Sequence, residues 1–297
     1  MQYGIRTGST DWGCSTPKQN RTYDYSIGGL GNQSSRKNVP NLEPSFVSIV
    51  ITAYNRAAYL AIAIDSVIAQ TYPHWELIIW DDGSIDDSPT IAKQYALQDS
   101  RIRFVQGVHA GATAALVGAM ALVTHPYYGC VDSDDSLHPD ALAKTVEILD
   151  RQNEIGMVYT NYDEIDECGR YIRAGRRCSI PYSKERMLID FMTFHFRLIR
   201  RSVYEAVGGI DLDLLHCEDY NLCLKISEIA EIYHLAEFLY SYRLHAGMVS
   251  YTERDVQKDS AVAAVRKALV RRGMSDRYYL EVTGWQFRIL ELPASHF

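Results

Sequence analysis

The stretch FVSIVITAYNRAAYLAIAIDSVIAQTYPHWELIIWDDGS, residues 46–84, decides the fold of this 297-residue chain. It opens with the apolar, β-rich run 46–53 and continues with apolar residues at helical spacing over 55–72, up to Pro73. A second apolar run follows over 75–80. Both runs are continuous rather than alternating, as in strands that are covered on both faces. The stretch therefore predicts a strand, a helix and a second strand.

The same alternation continues along the chain. Helices are predicted over 88–98, 111–124 and 138–152, and strands over 101–105, 127–131 and 155–160. Ser88 is the expected N-cap of the first of these helices, with Pro89 at its first position. Strands that alternate with helices indicate an α/β fold with a Rossmann-like, mostly parallel central sheet flanked by helices.

Composition restricts the class of protein. The net charge of −7 and the apolar fraction of 47% are those of an ordinary globular protein, and mild acidity argues against a nucleic-acid partner. The six cysteines form no C-x-x-C pair, which indicates reduced thiols and a cytoplasmic protein. No signal peptide is visible, and the apolar run 110–123 is too short to cross a bilayer, so it is interpreted as a tightly packed helix.

Polar residues follow three of the predicted strands at their carboxyl ends, where parallel sheets bind ligands. The clusters are Tyr54-Asn55, Asp81-Asp82-Gly83-Ser84 and Asp132-Ser133-Asp134. Any one of them is typical of an ordinary turn. Three such clusters at one edge of a sheet predict a single pocket.

The crowding of Asp132, Asp134 and Asp135 creates an electrostatic conflict, because carboxylates this close repel one another. A divalent cation would remove it, and oxygen ligands favour Mg²⁺ or Mn²⁺, which usually share their ligands with a substrate's phosphates. The alternative is a solvated helix N-terminus, where the helix dipole favours acids. An EF-hand is excluded, since Leu137 and Ala143 stand where its loop needs Gly and Glu.

These residues carry a resemblance to a known family. The opening stretch, followed by CVDSDDSLHPDAL (130–142) and RRSVYEAVGGIDLDLLHCEDYNLCLKI (200–226), resembles an inverting, non-processive family 2 glycosyltransferase of the GT-A fold. The implied domain, the nucleotide-diphospho-sugar transferase fold, covers 45–250. A loosely ordered extension is expected over 1–44, and an appendage of helix and strand over 251–297.

The resemblance implies roles for individual residues. The nucleotide-binding set consists of Thr52, Ala53, Tyr54, Asn55, Asp81, Asp82, Gly111, Asp132 and Ser133. Asp81 would accept a hydrogen bond from the base ring. Asp132 and Asp134 form the D-x-D motif that serves the ribose and the metal ion, Mn²⁺ or Mg²⁺, with Asp134 as the direct ligand. His245 is either a further metal ligand or a surface residue, and Asp135 a supporting residue or a helix cap.

The same resemblance implies the reaction. One sugar would move from a nucleotide-diphospho-sugar, with a UDP-sugar favoured, to a hydroxyl group of a glycan or glycolipid. Asp219 matches the family's catalytic base and Glu218 lies beside it. The alternative for both acids is a place in the first turn of an amphipathic helix, where the helix dipole favours them. Both interpretations can hold together.

Two departures from the family pattern are visible. The family often carries Arg or Lys in the helix after an N-x-G motif, whereas 109–120 has His109 for the Asn and neither Arg nor Lys. Nucleotide identity is therefore left open. The Q-x-x-R-W motif of processive synthases is also absent. This absence disfavours a processive polymer synthase.

The acceptor side and the C-terminus are less informative. The arginine-rich segment 167–183 is either a loop that closes over the diphosphate or an anionic acceptor, or a solvated loop. The aromatic run 191–199 is either core or a sugar-stacking surface. The basic face predicted for the helix 255–274 either rests on anionic lipid at the cytosolic face of a membrane or is solvated. Residues 278–290 form a strand or hairpin, which could dock a second subunit.

Two other functions stay open. A catalytically silent module could bind nucleotide sugars without turnover. A sugar nucleotidyltransferase also uses an α/β fold and paired acids, but it usually has a Gly-rich phosphate loop with a Lys near its first strand, and TAYNRAAY (52–59) offers neither.

Overall fold

The computed structural model describes residues 44–248 and 252–293. The loosely ordered extension expected over 1–44 falls outside these ranges, apart from Pro44. The helices are α1 (Leu60–Ile68), α2 (Ser88–Gln98), α3 (Ala112–Met120), α4 (Ala141–Arg151), α5 (Arg201–Ala206), α6 (Glu218–Ile229) and α7 (Arg254–Arg271). The strands are β1 (Val47–Ala53), β2 (Trp75–Asp81), β3 (Ile102–Gln106), β4 (Tyr127–Cys130), β5 (Ser136–Leu137), β6 (Ile155–Ile165), β7 (Tyr171–Ala174), β8 (Arg197–Arg200), β9 (Glu231–Arg243), β10 (Tyr278–Thr283) and β11 (Gln286–Glu291).

One large sheet organises the described residues. Its strands lie in the order β3-β2-β1-β4-β8-β6-β9-β5, and β7 pairs with β6. Strands β1, β2, β3, β4, β6 and β9 point in one direction, while β5, β7 and β8 run opposite. The predicted α/β fold with a mostly parallel sheet is confirmed. Strands β10 and β11 form a separate antiparallel hairpin.

Strand β1 shows why the sheet is covered on both faces. Ile49 and Ile51 are fully buried in a core formed with α1, α2 and α4. Val50, between them, is buried in a second core that includes residues of α3, α6 and α7. Because side chains alternate along a strand, one continuous apolar run supplies both cores.

Helix α3 approaches the sheet closely because its residues are small. A Cβ atom at Gly118 would lie 2.7 Å from the ring of Trp80 on β2. A larger residue at this position would push the helix away from the sheet. The interpretation of 110–123 as a tightly packed helix is therefore confirmed.

Helix α4 begins at Ala141 rather than at residue 138. Two further differences from the sequence prediction, the start of α1 and the N-cap of α2, share one cause. Helix α1 begins at Leu60 rather than at residue 55, after a turn closed by the hydrogen bond from Leu60 N to Arg56 O. Helix α2 begins at Ser88, and Asp87 rather than Ser88 holds its N-cap position. The hydroxyl of Ser88 instead accepts the backbone N–H of Arg56 at 2.8 Å. Both differences arise because the loop after β1 is fastened to the loop after β2.

Helix α7 packs on the second core, where Val265 and Leu269 are buried. The predicted basic face consists of Arg266, Lys267, Arg271 and Arg272. Lys267 pairs with Asp213, and Arg271 and Arg272 both pair with Glu228. Most of the predicted basic face is therefore turned toward acidic partners of the same chain. Within the described ranges, every helix is too short or too polar to traverse a bilayer.

Candidate active site

A cavity of about 690 Å³ opens where β1, β2 and β4 end. The predicted site residues that line it are Thr52, Ala53, Tyr54, Asp82, Gly111, Asp132, Ser133, Asp134, Glu218 and Asp219. Asn55, Asp81 and His245 do not belong to this lining. The three polar clusters and the acids of α6 therefore converge on one cavity, although more than 80 residues separate Asp132 from Asp219 in the sequence.

Asp81 is buried at the end of β2 with only half of its carboxylate satisfied. Its Oδ2 accepts the backbone N–H of Ser84 at 3.0 Å. Its Oδ1 has no hydrogen-bond partner within the described part of the chain. Asp81 pairs with Ala53 and precedes Asp82, which both line the cavity, so it lies directly behind the cavity wall. A buried oxygen without a donor is costly, so this atom suits a ligand that brings an N–H group.

Asn55 and Asp82 shape the loops around the cavity. The amide oxygen of Asn55 accepts the backbone N–H of Ile85 at 2.9 Å. The Asp82 carboxylate accepts the backbone N–H groups of Ala110 and Gly111, each at 2.9 Å. Gly111 has a φ of 92°, which favours glycine, and nothing lies within 4 Å of where its Cβ would be.

Tyr54 and His109 form an aromatic wall of the cavity. Their rings stack with centroids 4.0 Å apart, and His109 Nδ1 lies 2.8 Å from Asp82 Oδ2. The histidine that replaces the family's Asn is thus fixed at the cavity by both its ring and its nitrogen.

Asp134 receives two basic side chains on a single oxygen. His245 Nε2 lies 2.9 Å from Asp134 Oδ2, and Arg56 Nε lies 3.1 Å from the same atom. The His245 side chain is only 7% exposed. The structure thus places His245 beside Asp134 in the protein interior rather than on the surface.

The donor set at Asp134 fits a divalent cation shared with a substrate. No group of three or more His, Cys, Asp or Glu side chains in the described ranges is arranged to hold a metal ion alone. A carboxylate and an imidazole nevertheless meet within 2.9 Å at the cavity. Mg²⁺ and similar ions are commonly held by one or two protein groups, with phosphate oxygens and water completing the shell. Asp134 and His245 therefore fit an ion that also binds a diphosphate, whereas Asp132 Oδ2 lies beside His195 instead.

Asp132 experiences the repulsion that the sequence predicts. The Asp132 side chain is 50% exposed to the open cavity, but the protein groups around it desolvate the carboxylate, and this effect and the charge of Asp134 raise the pKa of Asp132 to about 7. The buried His195 ring lies beside it, with Nε2 3.3 Å from Asp132 Oδ2. Burial, together with Arg197 nearby, lowers the pKa of His195 well below its ordinary value. His195 is therefore a neutral imidazole at neutral pH.

Asp135 supports the site through contacts with strand β9 and is not a helix cap. Its Oδ2 accepts the hydroxyl of Tyr240 and its Oδ1 accepts the backbone N–H of Arg243, both at 2.7 Å. The N-cap position of α4 belongs to Asp140. Asp135 thus fastens the acidic turn to strand β9, which leads to His245.

Glu218 and Asp219 open helix α6 and line the same cavity as the acidic turn after β4. Arg197 Nη1 lies 3.0 Å from Asp219 Oδ2, and only 9% of the arginine side chain is exposed. Burial, and then the charge of Asp219, raise the pKa of Glu218 to about 7. Asp219 thus meets the cavity as a carboxylate oriented by a buried guanidinium group.

Three residues at the cavity were not predicted from the sequence: Arg56, His195 and Arg197. Arg56 directly follows the Tyr54-Asn55 cluster, so its position at a strand end was a usable signal. His195 and Arg197 lie in the aromatic run 191–199, of which Phe194, His195, Arg197 and Ile199 line the cavity. Their roles depend on the pairing of β8 with β4, which no local pattern reveals.

The arginine-rich segment makes local contacts. Arg173 pairs with Glu164 and Arg170 pairs with Asp166, which ties β7 to β6. The guanidinium of Arg177 lies over the rings of Phe191 and Phe194, 4.9 and 4.7 Å from their centroids. The segment is a folded hairpin and turn next to the aromatic run.

Comparison with known proteins gives a consistent family. The family described as glycosyl transferase family 2 matches residues 48–208. The chain is 31% identical over 237 residues to an Escherichia coli chondroitin synthase, covering 80% of this chain and 34% of that protein. It is 28% identical over 233 residues to a Pasteurella multocida hyaluronan synthase, and this match covers 78% of this chain and 24% of that protein. The chain thus spans about a third or less of the length of these synthases.

A relative of more similar length is an uncharacterized glycosyltransferase of Rickettsia prowazekii, 30% identical over 223 residues, with 71% of this chain and 68% of that protein covered. Among solved structures, S. aureus TarS in complex with UDP-GlcNAc aligns with a TM-score of 0.63 at 16% identity, covering 76% of this chain and 66% of that chain. A Pyrobaculum calidifontis mannosyltransferase in complex with GDP-Man and Mn²⁺ aligns with a TM-score of 0.62 at 18% identity. This alignment covers 79% of this chain and 68% of that chain. These two likenesses show the fold.

Proposed function

Because the chain belongs to glycosyl transferase family 2, we propose that it transfers a sugar from a nucleotide-diphospho-sugar to an acceptor hydroxyl group. The observation that carries the proposal is the single cavity that gathers Asp132, Asp134, Glu218 and Asp219. One acid pair follows β4 and the other opens α6. A donor that lies between them would have its diphosphate near the first pair and its sugar near the second.

The Asp81 carboxylate has one oxygen without a hydrogen-bond donor, and this supports a preference for nucleobases that carry a ring N–H. Uracil, thymine and guanine each carry a ring N–H, whereas cytosine and adenine do not carry one on the corresponding edge. Asp81 Oδ1 is a buried acceptor without a donor among the described residues, so it favours the first three bases. UDP-sugars remain the favoured donors, and GDP-sugars are the main alternative, as in the neighbour that contains GDP-Man.

The metal dependence of the reaction is also part of the proposal. Asp134 and His245, with Asp132 beside them, would hold Mn²⁺ or Mg²⁺, and such an ion is present in the mannosyltransferase neighbour. When bound, it supplies Lewis-acid stabilisation of the negative charge on the departing diphosphate.

Asp219 is the proposed general base. It accepts the proton of the acceptor hydroxyl while the acceptor oxygen bonds to the anomeric carbon and the bond from that carbon to the diphosphate oxygen breaks. Attack from the face opposite the diphosphate inverts the anomeric configuration. Arg197, 3.0 Å from Asp219 Oδ2, orients the carboxylate. General-base catalysis of this kind contributes about 10²–10⁴-fold to the rate.

The test is turnover of a donor panel. The protein is incubated with Mn²⁺ and UDP-, dTDP-, GDP-, CDP- and ADP-sugars, and release of nucleoside diphosphate is measured with water or added glycans as acceptors. We expect turnover with at least one of the first three donors, its loss in Asp134→Ala, and a fall of about 10²–10⁴-fold in Asp219→Asn. Asp213→Asn is the matched control, because Asp213 lies in the same loop region but outside the cavity lining.

Other outcomes would replace the proposal. Nucleotide binding without turnover would indicate a catalytically silent binding module. Pyrophosphate release from a nucleoside triphosphate and a sugar phosphate would indicate a nucleotidyltransferase. NMR of the product gives the anomeric configuration, and product length tests the proposed transfer of a single sugar against polymer synthesis.

A further inference from the structure

Most of the arginine side chains that line the cavity are held by other groups of the protein. In the described ranges its arginines are Arg56, Arg197 and Arg243, and no lysine lines it. Arg197 is buried against Asp219. Arg243 is 2% exposed and donates to the backbone carbonyl oxygens of Asp134 and Asp166, at 2.7 and 3.2 Å. Both of these side chains hold parts of the protein together.

Arg56 differs because its principal partner is a side chain that the proposed function assigns to metal binding. Its Nε lies 3.1 Å from Asp134 Oδ2, the oxygen that also faces His245 Nε2 at 2.9 Å. Its other nitrogens reach only the carbonyl oxygens of Tyr54, Asn55 and Gly247, each at 3.3 Å. At 22% exposure, the side chain has room to move within the cavity.

A cation held between Asp134 and His245 needs the carboxylate oxygen that Arg56 contacts. The two positive charges cannot share that oxygen without repulsion, so the guanidinium must leave it when the ion binds. The backbone of Arg56 cannot follow, because its N–H donates to Ser88 Oγ and its carbonyl accepts from Leu60 N. The displaced guanidinium therefore stays next to the ion.

We propose that Arg56 is a diphosphate-binding residue that exchanges the Asp134 carboxylate for the phosphate oxygens of the donor. This inference rests on the proposed function and adds a residue to it. A diphosphate that binds with the ion places negative oxygens beside the displaced side chain, and a guanidinium group binds such oxygens in a bidentate, charge-assisted way. Arg56 would supply the positive charge that the segment 109–120 lacks.

The inference predicts two effects of opposite direction for Arg56→Ala. Removal of a charge-assisted contact weakens nucleotide binding in the presence of Mn²⁺ by roughly tenfold or more. Removal of the competing cation leaves the affinity for Mn²⁺ alone unchanged or raises it. A residue with a merely structural role would weaken both, because the site itself would be disturbed.

The experiment measures both affinities in the full chain. Binding of Mn²⁺ alone is followed by electron paramagnetic resonance of the free ion. Binding of UDP or GDP, whichever the unaltered protein binds, is followed by calorimetry at saturating Mn²⁺. Arg56→Lys keeps the positive charge but loses the planar guanidinium with its paired N–H donors, and is expected to retain part of the nucleotide affinity that Arg56→Ala loses. Arg103→Ala is the matched control, since Arg103 is 47% exposed on β3 and pairs with Glu76.

Nucleotide affinity in Arg56→Ala within twofold of the unaltered protein would overturn the inference, and so would a parallel loss of Mn²⁺ and nucleotide binding. Failure of the unaltered protein to bind Mn²⁺ together with any nucleoside diphosphate would instead overturn the proposed function, and the inference with it. The two failures are therefore distinguishable.

Discussion

Glu218 is an acid whose environment favours its neutral form. Burial is the largest cause and the charge of Asp219 the next, and together they raise its pKa from 4.5 to about 7. Because the folded state holds this proton more tightly than the unfolded chain does, the group's contribution to stability is complete below about pH 4.5. That contribution is lost as the pH rises through about 7.

Glu218→Gln should therefore reduce the loss of stability between pH 5 and pH 8. The expected change in the pH-dependent part of the free energy of unfolding is up to about 3 kcal/mol. Urea unfolding at the two pH values measures it. Glu205→Gln serves as the control, since the Glu205 side chain is 57% exposed. Equal pH dependence in Glu218→Gln and the unaltered protein would show that burial does not raise this pKa.

Side-chain chemistry was readable from sequence where the relevant residues are neighbours. The repulsion between Asp132 and Asp134 follows from their spacing, and in the structure the charge of Asp134 adds to the larger effect of desolvation in raising the pKa of Asp132. The contact between Arg197 and Asp219 was not readable, because it depends on two segments that approach only in the folded chain. The mutual placement of Arg56 and His245 on Asp134 was hidden for the same reason.

Helices α6 and α7 are both tied to the loop before α6 through Asp211. Lys225 of α6 donates to Asp211 Oδ1 at 2.8 Å and to Gly209 O at 2.7 Å, with 9% of its side chain exposed. Lys267 of α7 reaches Asp211 Oδ2 at 3.4 Å and is 38% exposed. The same carboxylate thus has one buried and one partly exposed lysine as partners, besides the buried amide of Asn221.

These two lysines should differ strongly in their effect on stability. Lys225→Met removes a buried partner and leaves Gly209 O without its donor, so we expect a loss of about 3 kcal/mol. Lys267→Met should cost less than about 1 kcal/mol, because an exposed ion pair is screened by water. Chemical denaturation of both variants gives the comparison. A cost for Lys267→Met equal to that for Lys225→Met would contradict the assignment of the stabilising contact to the buried pair.

Elements were predicted better than their boundaries. The apolar runs of β1 and β2 identified buried strands because continuous hydrophobicity has a direct cause in two-sided burial. The start of α1 was wrong because the residues before Leu60 form a turn held by Ser88, a contact between segments about thirty positions apart. Helical spacing alone cannot show where such a turn replaces the first helical residues.

At the scale of the whole molecule, α7 packs into the same hydrophobic core as strands β1 and β2 of the large sheet. Leu269 is 4% exposed, whereas its neighbour Val270 is 65% exposed. Residues 251–297 are proposed as an appendage to the domain over 45–250, and these two positions test how loosely it is attached.

Leu269→Ala should lower the free energy of unfolding by about 2–5 kcal/mol, as expected for a large buried side chain cut to Ala. Val270→Ala should change it by less than about 0.5 kcal/mol, because the side chain is largely in water. Urea unfolding of each variant, followed by circular dichroism, gives the two free energies of unfolding. A cost for Leu269→Ala as small as that for Val270→Ala would show that α7 is a loosely attached appendage.

The order of strands was only partly readable. The alternation of strands and helices predicted that β1 to β4 run parallel, but not that they lie in the order β3-β2-β1-β4. The antiparallel β8 between β4 and β6 was not predicted, since its short sequence RLIR lies in an aromatic run without a strand period. That insertion carries Arg197 to the cavity, where it pairs with Asp219.

The central claim is that Asp134 and His245 bind a divalent ion against the donor diphosphate while Asp219 faces the sugar. Anomalous diffraction from crystals grown with Mn²⁺ and UDP or GDP tests it most directly. The account predicts one strong manganese peak within coordination distance of Asp134 Oδ2 and His245 Nε2, with phosphate oxygens on its cavity side. Nucleotide bound in the cavity with no manganese peak at Asp134, or manganese bound at other residues, would contradict it.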